Sequence, residues 1–109
     1  MANAPALIVY PVKDLTKAKQ FFTAFLGVAP YADSPYYVGY RTDGREIGLD
    51  PNGTAVVSYR DTADIAAGLQ ALQEAGATVV MQPKDVGNGL LVAQVAIEGN
   101  VLGLRQQPK

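Results

Sequence analysis

Glu46 and Asp50 are the residues of this chain whose types and spacing most directly suggest chemistry. They stand on either side of Gly48 in the run EIGLD, residues 46–50. In an extended strand all three would face the same way, because side chains alternate with a period of two. Two carboxylates on one face are candidates for acid–base work if burial raises the pKa of one of them. Arg105 offers a planar fork suited to a carboxylate or phosphate. An internal ion pair with Glu46 or Asp50 is the plainer reading. Six tyrosines against no tryptophan add rings with a hydroxyl at one end, a pairing that suits a flat, partly polar guest. They concentrate at Tyr31, Tyr36, Tyr37 and Tyr40. In a strand Tyr36 and Tyr40 share one face and Tyr37 takes the other, one of the two sets being ordinary sheet packing.

What is missing narrows the chemistry further. The 109 residues contain no histidine and no cysteine, which removes the usual ligands of zinc and of the redox metals, and the usual neutral-pH base and nucleophile. Ser58 and Thr54 therefore have no histidine partner, and a serine triad is excluded. Glu46, Asp50 and Glu98 are too few and too scattered for an oxygen-only Mg2+ or Ca2+ site, so solvated carboxylates are the expectation and no metal or cofactor is assigned. Nine basic residues against ten acidic ones, scattered along the chain for a net charge of −1, leave no stripe to neutralise phosphates, so no nucleic-acid partner is expected. Residues 84–89 (KDVGNG) lack the strand–loop–helix context of a phosphate loop and read as a flexible lip. No membrane span and no signal-peptide pattern stand out, and a cytoplasmic protein is the expectation.

These side chains need elements to position them. Residues 6–12 (ALIVYPV) read as a strand. Asp14 or Thr16 then caps a helix whose apolar face is Leu15, Ala18, Phe21, Phe22, Phe25 and Leu26, ended by Gly27. Residues 36–41 and 46–50 form a hairpin about Asp43-Gly44, which accepts the positive φ angles of a tight turn. The order then restarts. Residues 55–59 read as a strand, and Asp61 and Asp64 as caps for a helix with Ile65, Leu69 and Leu72 inside and Gly76 at its end. Residues 78–81, 90–97 and 101–105 follow as strands, with turns at Asn88-Gly89 and Gly99-Asn100. Ile47-Gly48-Leu49 in the first half matches Leu102-Gly103-Leu104 in the second. The chain reads as an α+β fold, a strand–helix–strands unit used twice, with a mixed sheet and its helices on one face. Alternation then turns Leu7, Val9 and Pro11 to the open face, and Ile8, Tyr10 and Val12 to the helix. On the last strand Val101, Gly103 and Arg105 take the open face, and Leu102 and Leu104 the core.

Val12-Lys13-Asp14-Leu15, Phe21-Phe22 and Phe25-Leu26-Gly27 together resemble the opening of the vicinal oxygen chelate superfamily, which includes glyoxalase I, extradiol dioxygenases and bleomycin-resistance proteins. Glu74-Ala75-Gly76-Ala77, the run 82–87 (QPKDVG) and the run 99–104 (GNVLGL) carry the likeness through the second half. The resemblance implies one domain over residues 1–109, built of two βαβββ modules at about 6–51 and 54–106. Their strands would curl into a half-barrel around a ligand cleft, with helices outside, commonly in a homodimer. Metal enzymes of the family carry a His or Glu ligand on the first and last strand of each module. Carried over, those places fall on Leu7, Gly48, Val57 (or Thr54) and Gly103, none of which has a side-chain donor.

The resemblance and the lost donors together imply a metal-free protein that sequesters a small aromatic or amphipathic ligand, with Leu7, Val9, Tyr36, Tyr40, Gly48, Asp50, Val57, Gly103 and Arg105 as the ligand-binding set. Gly48 and Gly103 would leave room in the floor of the site, or else relieve crowding in a curved sheet. A metal-independent isomerase or lyase using Glu46 or Asp50, and a dimeric scaffold without a ligand, are the alternatives.

Overall fold

The structure is a computed structural model and describes residues 4–108. The chain falls into two compact units, one spanning Ala6–Val57 and the other running from Ser58 onward. Each repeats the order strand, helix, three strands, the α+β arrangement read from the sequence.

In the first unit β1 (Leu7–Pro11) leads into α1 (Leu15–Leu26), followed by β2 (Ala32–Asp33), β3 (Val38–Thr42) and β4 (Arg45–Asp50). The strand order is β2-β3-β4-β1, with β1 parallel to β4 and the other pairs antiparallel. Asp14 is the cap, its side chain accepting from the Lys17 amide at 3.0 Å. Gly27 closes the helix at φ 72° and donates its N–H to Thr23 O, the left-handed cap that glycine adopts without strain. Asp43 and Gly44 take φ of 55° and 74°, the two positive values of a type I′ hairpin. The core joins Val38, Tyr40 and Leu49 to Tyr10, Val12, Leu15, Ala18, Phe22 and Leu26.

Phe21 and Phe25, expected on the buried face, are 60% and 71% exposed. The half-buried stripe that packs on the core follows Leu15, Ala18, Phe22 and Leu26, and at 100° per residue the two phenylalanines fall on its flank. They stack on each other instead, with centroids 5.7 Å apart. The β3 strand starts at Val38 rather than Tyr36, because Ser34 Oγ draws the Tyr36 and Tyr37 amides into a turn. The two-residue β2 was not legible at all.

The second unit takes up β5 (Val57–Asp61) from its second residue; the strand starts two residues later than expected, and then come α2 (Ile65–Glu74), β6 (Thr78–Asp85), β7 (Leu91–Ile97) and β8 (Asn100–Gln106), in the order β5-β8-β7-β6. Asp64, not Asp61, caps α2, accepting from the Ala67 amide, and Gln106 Oε1 accepts from the Ile65 amide at 2.8 Å. Ile65, Leu69, Ala93, Val95 and Leu104 form the core. Leu102, expected beside Leu104, is exposed; it lies two residues nearer the β7–β8 turn. That turn is carried by Glu98 and Gly99, at φ 50° and 79°, one residue before the predicted pair. The β6 strand runs through Pro83 with two register shifts, which a strand at the end of the order tolerates because its missing N–H breaks no ladder bond.

Candidate functional site

The helix-free face of the first unit is fixed by register. Leu7, Val9 and Pro11 pair in parallel with Glu46, Gly48 and Asp50, and Gly39 and Arg41 of β3 pair with Gly48 and Glu46. Since Tyr10, Tyr40 and Leu49 go to the helix, alternation turns this second set to the opposite side. Gly39 and Gly48 make a floor without side chains, and two tyrosines cover it. A Cβ built on Gly48 would land on the Tyr37 ring, 2.7 Å from Cζ and 2.9 Å from Cε1, and one on Gly39 would meet Tyr31 Cε2 at 3.0 Å. The Tyr31 hydroxyl donates to Glu46 Oε1 at 2.8 Å, while the Arg41 guanidinium lies 3.9 Å from the Tyr31 ring centre, a cation–π contact. Asp50 Oδ1 accepts from the Asn52 amide at 2.8 Å.

The second unit repeats the device. Val101, Gly103 and Arg105 pair with Ala96, Gln94 and Val92, on the face away from α2. A Cβ on Gly103 would land on the Tyr59 ring, 3.0 Å from Cγ and closer to Cδ1 and Cε1. The Tyr59 hydroxyl accepts from Gln94 Nε2 at 2.7 Å. Arg105 is 6% exposed and grips Asp61 through two bonds, Nε–Oδ1 at 2.7 Å and Nη2–Oδ2 at 3.2 Å.

Of the residues singled out in the sequence, Leu7, Val9, Gly48 and Asp50 thus share one face of the first unit with Glu46. Gly103 and Arg105 share a face of the second. Val57 is buried at the start of β5. Arg105 is held by Asp61, so the plainer ion-pair reading describes it, with a different partner from the two considered. Tyr36 precedes the strand and is 76% exposed. Tyr40 lies on the opposite face, fully buried, its hydroxyl donating to Lys19 O at 3.0 Å and standing 2.9 Å from Thr23 Oγ1. It is a core residue that ties β3 to α1. Tyr37 and Tyr59 are the rings that meet the glycines, and neither was in the expected set. The available signal was the glycine itself, because a neighbouring aromatic commonly covers a strand glycine.

The family model of the Glyoxalase/Bleomycin resistance protein/Dioxygenase superfamily matches residues 5–99. The chain belongs to this superfamily. Among solved structures of similar fold is a glyoxalase/bleomycin resistance protein/dioxygenase superfamily member from Vibrio splendidus 12B01, 20% identical, covering 92% of this chain and 95% of its own, at a TM-score of 0.70. A methylmalonyl-CoA epimerase variant from Streptomyces coelicolor, in complex with 2-nitronate-propionyl-CoA, is 15% identical over 100% of both chains at 0.69. The Mn(II)-bound glyoxalase from Novosphingobium aromaticivorans is 14% identical at 0.72, covering 96% of this chain and 39% of its own. At these identities the likeness is one of fold. No curated protein sequence matches significantly.

A metal centre of the glyoxalase type does not fit the residues present. Among the described residues no three His, Cys, Asp or Glu side chains come together. The last-strand places, Gly48 and Gly103, lie under the rings of Tyr37 and Tyr59, so a donor side chain there would collide with the ring before reaching a metal. No helix among the described residues is long and apolar enough to cross a membrane.

Proposed function

We propose that this glyoxalase-superfamily chain binds a small aromatic or amphipathic molecule without a metal ion, and acts as a binding protein. The observation that carries this reading is the tyrosine laid over a glycine floor where metal enzymes of the family place a ligand. On the first unit, Tyr31 and Tyr37 offer ring surface, while Val9, Glu46 and Asp50 around them are half-buried rather than sealed. Such a surface recognises a flat guest by stacking and apolar contact, with the carboxylates setting its orientation. A homodimer is part of the same proposal.

The test is a thermal-shift and equilibrium-dialysis screen of aromatic metabolites and antibiotics in EDTA. A saturable ligand is expected, with affinity falling about tenfold in Tyr37→Ala, the scale of one lost aromatic contact. A complete absence of ligands, or a ligand lost on chelation, would contradict the reading.

Burial of Leu7, Val57 and Tyr59 favours a second reading, a dimeric scaffold with no ligand. A metal-independent isomerase or lyase has less support, because the two candidate bases are already engaged, Glu46 by Tyr31 and Asp50 by the Asn52 amide.

A further inference from the structure

The two glycine floors are covered differently. Tyr37 reaches Gly48 from the turn before β3 and is only half-buried. Tyr59 belongs to β5 itself and is 8% exposed. Its ring rests on Gly103 and its hydroxyl ends at the Gln94 amide, 2.7 Å away. Gln94 and Gly103 are cross-strand partners; of their same-face neighbours Val92, Ala96 and Val101 are apolar, and Arg105 is tied to Asp61. Floor, a border that is apolar apart from the Arg105–Asp61 pair, and a terminal hydrogen-bond donor have the form of a site for a phenol. The phenol in it is the chain's own.

We propose that Tyr59 is a specificity-determining stopper: it occupies a phenol-shaped seat on the second unit and so confines external guests to the first. The proposal rests on the binding reading above for the native guest, but the seat can be tested without that guest. Simple core packing would give a tyrosine whose removal leaves a void indifferent to what fills it. A phenol seat discriminates, because with the ring gone the half-buried Gln94 amide can be paired by a phenol oxygen but not by a hydrocarbon that displaces water from it. Engineered apolar cavities that hold one aromatic ring accept such rings from solution.

The experiment compares wild-type chain with Tyr59→Ala and Tyr59→Phe, using p-cresol and toluene as probes in thermal shift and calorimetry. Tyr59→Ala is expected to be less stable and to gain a p-cresol site that the wild type lacks. That site should prefer p-cresol to toluene about tenfold, and Gln94→Leu in the same background should erase the preference. Tyr59→Phe keeps the ring and should gain nothing. If Tyr59→Ala is unfolded alone, p-cresol must restore its far-UV circular dichroism. A variant that stays unfolded, or is folded but gains no p-cresol site, or shows no preference over toluene, overturns the proposal. A wild type that binds no aromatic ligand would count against the proposed function alone and leave this result standing.

Discussion

The Tyr37 ring lies over Gly48 so closely that a single methyl group on the glycine would collide with three of its atoms. The same holds for Tyr59 over Gly103. Each ring closes one sheet face at its glycine. The pairs are therefore the first places to test.

Gly48→Ala should cost about 1–3 kcal/mol, the range for forcing an extra carbon into a packed place. In a Tyr37→Ala background the same change should cost less than about 0.5 kcal/mol. Urea denaturation of the four proteins of this cycle measures the coupling. Additive costs would mean that the ring does not rest on the glycine.

Arg105 and Asp61 should behave as a unit. Asp61→Ala leaves a guanidinium at 6% exposure without its carboxylate. Broken buried pairs cost several kcal/mol. The Asp61 side chain is 36% exposed, however, so solvent screening lowers the expected loss to about 1–2 kcal/mol. Replacing both partners, as Asp61→Leu with Arg105→Met, should cost less than the single change. Equilibrium unfolding decides it, and a double variant weaker than Asp61→Ala would refute the pairing.

Tyr40→Phe separates core from site. It removes the hydroxyl that bonds Lys19 O and Thr23 Oγ1, and should lower stability by about 1 kcal/mol. Ligand affinity, read by dialysis, should stay within twofold of wild type. A large affinity loss would return Tyr40 to the binding set.

Local structure was legible in the sequence where a single residue type decides it. Asp14 and Gly27 bracket α1, and Asp43-Gly44 turns the hairpin, because cap and turn chemistry act over three or four residues. The open-face set Leu7, Val9, Gly48 and Asp50 followed from alternation alone. The tyrosines did not, because alternation separates Tyr37 from Tyr36 and Tyr40 without saying which set meets the glycines. Ser34 holds back the strand start by two residues. The pairing of Gly39 with Gly48 is what puts Tyr37, two residues before Gly39, beside the glycines and leaves Tyr40 on the other face. Gly48 and Gly103 were recognisable as places of close approach, but the approaching group lies elsewhere in the sequence and only the tertiary structure identifies it. Phe21 and Phe25 were misplaced for a smaller reason: the spacing of six apolar residues on α1 does not say which four face inward.

The cap assignments give a sharper check on that local reading. Asp14→Ala and Asp64→Ala should each cost about 1 kcal/mol, the typical loss of a helix N-cap. Thr16→Ala should cost less than about 0.5 kcal/mol, because Asp14 already serves the Lys17 amide. Thermal unfolding with circular dichroism at 222 nm is sufficient, and equal losses at Asp14 and Thr16 would contradict the assignment.

The proposed guest site is the tyrosine-covered glycine floor of the first unit, in place of a metal centre. Native mass spectrometry of the chain, purified without chelator, tests it most directly, since one spectrum weighs any metal and any organic guest together. The expected result is the polypeptide mass, alone or with a small organic adduct that survives EDTA. A stoichiometric divalent-metal adduct would contradict it.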